Sequence, residues 1–261
     1  MAIAFIASTY ADFSSPGWTT TGVTTPTVDT TGANLLVVSF GWADWNIPTN
    51  SVSDNKGNTW IGLTVYRNFS SSGTQFFYAK NAIVGAGHTF TIGLSSSGGF
   101  GPTIIVHAFA NVDTTAPFDK VDGLAGGTSG PLSGGTVTPA VNNSLVIATL
   151  RHGNATVSTI TVNLPNLSKN AGNATAYDIQ TTITTVNPQW NFSGGTDNAV
   201  ASVAVFKPAA ATDIRVTQDV IETLSLPFPA IRTSQYVVEL LSSSVSTAPV
   251  STETTQFVII M

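Results

Sequence analysis

The chain has 261 residues and a mass of 27.0 kDa, enough for one large β domain or two modest ones without covalent staples. It holds no cysteine, which excludes a disulfide framework, a thiolate metal site and a cysteine nucleophile together. Only 9 % of residues are charged, Ser and Thr make up about a quarter, and the net charge is −5, which argues against long charged helices and against a nucleic-acid partner.

The amino-terminal stretch Met1-Ala2-Ile3-Ala4-Phe5-Ile6-Ala7-Ser8 has no basic residue. Its apolar run of about six residues is shorter than the ~7–15 of a secretory signal. Later apolar runs, such as Ile104-Ile105-Val106, are strand-sized, so no membrane partner is expected. A surface rich in Ser, Thr, Gly and Asn suits a protein that works outside cells. A virion protein, assembled in the host cytoplasm and released by lysis, reconciles that surface with the absence of an export signal; the alternatives are an ordinary cytoplasmic protein, a chain given without its signal and a non-classical export route.

Strand-like runs follow at 34–42, 59–66, 74–80, 88–94, 103–110, 144–151, 156–163, 176–186 and 199–206. Most alternate apolar and polar residues, as in Thr89-Phe90-Thr91-Ile92, which fits antiparallel sheets with one buried face. Turn chemistry separates them at Asn55-Lys56-Gly57-Asn58, Ser97-Gly98-Gly99 and Gly194-Gly195. The expected fold is all-β: one jelly-roll-like antiparallel β-sandwich over residues 1–207. Its halves resemble each other. Thr25-Pro26 precedes the apolar run 34–42, and Thr138-Pro139 precedes 143–150. Two equivalent strands in the paired sheets of one jelly-roll account for this; an ancient duplication is the alternative.

Candidate sites are few. Trp42 and Trp45 flank Asp44 at a predicted strand end, where aromatic faces beside polar groups could form a glycan platform. The competing reading is that the indoles close the end of the sandwich core. Asp54-Asn55-Lys56-Gly57-Asn58 has the oxygen-rich look of a calcium loop. It lacks the downstream bidentate acid, and Lys56 opposes a cation, so a hairpin turn is expected. His88, His107 and His152 lie too far apart in sequence for a ligand motif, and no Gly-x-Ser-x-Gly elbow or phosphate loop occurs. The expectation is a protein without catalytic residues, metal or cofactor.

Composition changes near the carboxy terminus. Residues 1–207 contain Asp but no Glu, whereas Glu222, Glu239 and Glu253 all fall in the tail and the last Lys is Lys207. Pro208-Ala209-Ala210-Ala211-Thr212 is the expected linker, 208–212, and 213–261 the expected β-repeat tail. Two copies align as Ile214-Arg215-Val216-Thr217-Gln218 with Glu222 and Leu224, and Ile231-Arg232-Thr233-Ser234-Gln235 with Glu239 and Leu241. A degenerate third copy contains Gln256 and ends Val258-Ile259-Ile260-Met261. In a strand, Gln and Glu share one face and Arg lies on the other, so Arg and Glu of one copy can pair only across strands.

This repeat resembles the RVTQ-type repeats of tailed-bacteriophage structural proteins. The front domain, with Ser53-Asp54-Asn55-Lys56-Gly57-Asn58-Thr59, is similar to jelly-roll domains of phage and bacterial surface proteins. The resemblance implies a non-enzymatic virion component, a head decoration or head-fibre protein first and a tail appendage second. Its partners would be other copies of itself, as in a trimer, and capsid or other virion proteins. Arg215, Gln218, Glu222, Arg232, Gln235, Glu239, Gln256, Val258 and Ile260 are the expected subunit or shell contacts. The alternative is a carbohydrate-binding module or adhesin that holds surface glycans through Trp42 and Trp45.

Overall fold

Thr, Val and Ile lose side-chain freedom in a helix and fit a pleated surface, and Ser competes with a helix by hydrogen-bonding the backbone, so their abundance here favours strands. The computed structural model describes residues 2–12, 22–43, 51–68, 72–93, 100–126, 130–152, 160–170, 173–192 and 199–210, and among these no helix forms. The first lobe contains β1 (Ala4–Asp12), β2 (Gly22–Thr24), β3 (Leu35–Ala43), β4 (Ser51–Asp54), β5 (Ile61–Gly62), β6 (Tyr66–Asn68), β7 (Ser72–Lys80), β8 (Phe90–Gly93) and β9 (Phe100–Ala110). The second contains β10 (Phe118–Ala125), β11 (Leu132–Ser133), β12 (Ser144–Arg151), β13 (Thr161–Val162), β14 (Leu167–Asn170), β15 (Asn173–Gln180), β16 (Gln189–Asn191) and β17 (Val200–Phe206).

The two lobes have the same topology. In the first, a large sheet ordered β1-β9-β3-β7-β5, with β6 also on β7, faces a small sheet β2-β8-β4. In the second, β10-β17-β12-β15-β14 faces β11-β16-β13. Strands early and late in each lobe alternate between its two sheets, and among the described residues every pairing is antiparallel. Detail repeats too: a bulge interrupts β1 between Phe5 and Ala7 and β10 between Phe118 and Lys120. The expectation of one sandwich with paired equivalent strands therefore gives way to two tandem sandwiches. Alternation in a sequence reports that a strand has a buried face; it does not say which sheet supplies the cover.

Three apolar layers hold this stack. Phe40, Trp42, Phe90, Ile92 and Ile104 fill the first lobe, and Val146, Leu150, Trp190, Val203 and Val205 fill the second. Between the lobes, the large sheets pack face to face through Leu35, Val37, Phe109, Leu145, Ile147 and Phe206. The large sheets are thus covered on both faces, and every residue of β12 and β17 is buried. That is why Ser144-Leu145-Val146-Ile147-Ala148-Thr149-Leu150 is a nearly continuous apolar run.

Equivalent residues meet across this seam. Phe5 stacks on Tyr177 at 5.4 Å between centroids, and Phe118 stacks on Tyr78 at 6.2 Å. Phe109 meets Tyr177 edge-on at 5.2 Å, and Phe206 meets Tyr78 at 5.4 Å. Each cluster joins two phenylalanines of one lobe to a tyrosine of the other. Burial raises the pKa of both tyrosines.

Contacts divide the chain into a compact unit, Met1–Asp213, and a second unit, Ile214–Met261. Pro208 and Ala209, assigned to the linker on composition, are tied into the first unit. Pro208 bridges Val112, and the Ala209 N–H donates to the Asn111 carbonyl at 2.8 Å. Limited proteolysis should therefore spare Pro208 and Ala209, cut after Ala210, and leave a fragment that melts cooperatively. An unfolded fragment would contradict an independently stable two-lobed unit.

Candidate functional site

The residues singled out for glycan binding do not form an exposed platform in the described part of the molecule. Trp42 is 2 % exposed and stacks on Phe40 at 5.1 Å between centroids. Its ring lies so close over Gly73 that a Cβ there would sit 2.2 Å from Trp42 Cζ2. A buried indole has no face to offer a sugar, so Trp42 belongs to the core. Asp44 and Trp45 lie outside the described residues, as do all the tail positions from Arg215 to Ile260.

The oxygen-rich stretch after β4 is a turn locked by its own carboxylate. Asp54 Oδ1 accepts the Lys56 N–H at 2.8 Å and the Asn58 N–H at 3.3 Å, while Oδ2 accepts Trp60 Nε1–H at 2.8 Å. Gly57 supplies the left-handed step with φ of 80°. Asn55 fastens the turn to the neighbouring loop, donating to Gly87 O at 2.8 Å and accepting from the Thr89 N–H at 3.0 Å. Burial pushes the Asp54 carboxyl upward, but these donors outweigh it and leave its pKa below 3.8. Among the described residues no group of three or more His, Asp or Glu is placed to hold a metal ion. Replacing Asp54 by alanine should cost about 1–3 kcal/mol in urea unfolding, since several donors lose a charged acceptor. Millimolar calcium should leave the melting temperature of the wild type unchanged; a rise would mean that the turn binds a cation after all.

The histidines are set apart from one another. His88 stacks on Phe90 at 4.2 Å, shares its Nδ1 with Thr30 Oγ1 at 2.9 Å, and holds Nε2 3.5 Å from Asp54 Oδ1. Burial lowers its pKa, and the Asp54 charge offsets part of that. His152 packs against Phe192 at 4.6 Å. His107 is 1 % exposed in the seam, surrounded by Phe5, Phe109 and Tyr177, and among the described residues neither ring nitrogen has a hydrogen-bond partner. Desolvation alone pushes its pKa from 6.5 down to about 4. By sheet register its counterpart in the second lobe is Ala204, so the fold itself does not require a histidine at this place.

Hydroxyls take over at the other end of the seam. Ser39 Oγ donates to Thr149 Oγ1 at 2.5 Å, and Thr74 Oγ1 lies 3.1 Å from Ser202 Oγ. Arg151, 2 % exposed, runs across the seam over Gly41, where a Cβ would sit 2.9 Å from Arg151 Cδ. Gly41 and Arg151 are register equivalents, so a missing side chain in one lobe makes room for a long one from the other. These buried hydroxyls tie the lobes together, and Thr149 Oγ1 also lies 3.2 Å from Asn173 Oδ1 and 3.1 Å from Ala174 O.

Because Ser39 meets Thr149 and Gly41 meets Arg151, β3 and β12 run in the same direction across the seam. The ends of β1, β3, β10 and β12 and the starts of β7, β9, β15 and β17 consequently gather at one end of the unit. The opposite end carries the start of the chain and its departure. There Asn111 Nδ2 donates to Ala2 O at 2.9 Å while the Asn111 carbonyl holds Ala209. Neither family models, curated proteins nor solved structures provide a match to this chain. Its function has to be argued from this geometry and from the sequence.

Sequence reasoning missed the seam and the exposed face of β1, where Phe5 and Tyr10 stand 40 % and 55 % exposed. Their signal was present in the chain as aromatic residues set into a run of small ones, Ala4-Phe5-Ile6-Ala7-Ser8-Thr9-Tyr10-Ala11.

Proposed function

We propose that this chain is a non-enzymatic structural protein of a bacteriophage virion, a capsid decoration or head-fibre protein whose tail attaches it to neighbouring subunits or to the shell. The observation that carries the reading is the repeated Arg-x-Thr/Ser-Gln-x-x-x-Glu-x-Leu of residues 215–224 and 232–241, which follows a charge-poor, cysteine-free β unit. A unit held by three apolar layers and a hydroxyl seam is suited to a passive, durable role. The apolar end Val258-Ile259-Ile260-Met261 favours a covered position: at about 1.5–3 kcal/mol per buried large side chain, docking it contributes several kcal/mol before ordering costs.

Quantitative mass spectrometry of purified particles tests this. The protein should be present at a fixed copy number that matches a symmetry class of the shell or its appendages. Absence from particles, with binding on a glycan array that is lost in a Trp45→Ala variant, would replace this reading with a carbohydrate-binding module or adhesin.

A further inference from the structure

We propose that β1 is a strand-addition edge and that a tail repeat from a second copy of the chain occupies it; this rests on the reading of the tail as the attachment element. Exposed sheet edges invite pairing, and proteins blunt them by keeping them short, charged or covered. The second lobe does so. On its edge strand β10, Asp119 Oδ2 accepts the Ala140 N–H at 2.7 Å, Asp122 Oδ2 accepts the Thr136 N–H at 2.7 Å, and Lys120 Nζ donates to Thr138 O at 2.5 Å. Residues 136–140 are thereby clamped along that edge. In addition Gly123, the register equivalent of Tyr10, lies under the Tyr66 ring, where a Cβ would be 2.7 Å from Cγ.

None of these devices protects β1. Residues 4–11 carry no charge, and among the described residues their backbone hydrogen-bonds to β9 and to nothing on the outer side. A single side-chain bond, Thr9 Oγ1 to Pro26 O at 3.3 Å, stands where the second lobe has its clamp. Phe5, packed on one side against Tyr177, and Tyr10 remain 40 % and 55 % exposed on one face of the strand. Counted along the ladder with β9, where Phe5 pairs Phe109 and Tyr10 pairs Ile105, they are four positions apart. In the tail repeats Val220 and Leu224, and again Val237 and Leu241, are four residues apart in sequence, which in an added strand would put each pair on one face. A repeat added to β1 can set that apolar pair against Phe5 and Tyr10 while its backbone satisfies the open edge. Ala209, near the carboxy-terminal edge of the described residues, is held by the same Asn111 that binds Ala2 beside the start of β1.

The absence of native cysteine makes a clean test, because every disulfide then has known ends. Full-length Ser8→Cys is mixed with full-length chains carrying one cysteine walked through 214–224 and 231–241, and oxidised. Heterodimers should form at alternating tail positions, since a disulfide needs Cα atoms within roughly 7 Å. Lys120→Cys on the clamped edge should give none. A Ser8→Lys/Tyr10→Lys chain should associate at least about tenfold more weakly and melt as the wild type does. Ser8→Cys homodimers without heterodimers would overturn the proposal in favour of β1 pairing with a second β1. No cross-link at any position, with association still lost on deleting 214–261, would overturn the edge assignment and leave the tail reading intact. Association that survives that deletion would overturn both.

Discussion

Truncating Trp42 to alanine should lower the stability of the two-lobed unit by about 3–5 kcal/mol, the range for deleting a large aromatic from a packed core. Trp42 fills the first lobe between Phe40 and Gly73, and both neighbours are fixed by the β3–β7 ladder, in which Trp42 pairs Gly73 directly. The lobe has no easy way to collapse around the void. Gly73→Ala probes the same contact from the other side. Its Cβ would enter the indole, and overpacking of that kind costs about 1–3 kcal/mol. In the Trp42→Ala background the clash has gone, so the second substitution should be close to neutral. The two effects are strongly non-additive as a result. Urea unfolding of the four chains measures the cycle, and additive costs would show that indole and glycine do not share one site. A Trp42→Ala chain of unchanged stability would return the indole to the surface and to the glycan reading.

Acid should weaken the seam through His107. The unfolded chain binds a proton there at the ordinary histidine value of 6.5, the folded chain at about 4. The stability that depends on a neutral His107 is therefore complete above pH 6.5 and is lost as pH falls towards 4. The loss reaches about 3 kcal/mol at pH 4. Asp54 and Asp113, whose carboxyls backbone N–H donors hold below 3.8, extend the decline to lower pH and do not share this window. Replacing His107 by leucine, of similar bulk, should remove that part of the slope between pH 6.5 and 4. Identical slopes in the two proteins would show that another group titrates in this window.

What the sequence disclosed, and what it hid, follows from local chemistry. Strands β3, β7, β9, β12 and β17 were legible because each carries a sustained apolar run that the seam or a lobe core buries. Strand β10 was not, because Asp119, Lys120, Asp122 and Gly123 look like a turn; they are the fittings that close a sheet edge. Strand β1 was obscured by its bulge, which breaks the two-residue period between Phe5 and Ala7. The run 59–66 proved to be two short strands, β5 and β6, separated by the irregular stretch 63–65, where Leu63 packs against the seam. The duplication was half visible. The matched stretches 34–42 and 143–150 are the central strands of the two large sheets. The aromatic equivalents Phe5 and Phe118, Tyr78 and Tyr177, and Phe109 and Phe206 recur at three different spacings, because loops and bulges differ between lobes. The three histidines, marked in the sequence only as too far apart for a ligand motif, each pack against aromatic rings. Trp42 went the way of the bland alternative, since a strand end beside a polar residue does not reveal which face a tryptophan takes.

The first unit has its own core, whereas an isolated ribbon of a few strands is marginal in water, and ordering each tail residue costs about 1–2 kcal/mol of backbone entropy. On the proposed reading, attachment lies in the tail and the durable mass in the two lobes. The most direct test compares particles assembled with the full chain and with a chain ending at Asp213, and counts copies per particle. The truncated chain should fold, remain monomeric and be missing from particles. Its incorporation at the full-length copy number would contradict the account.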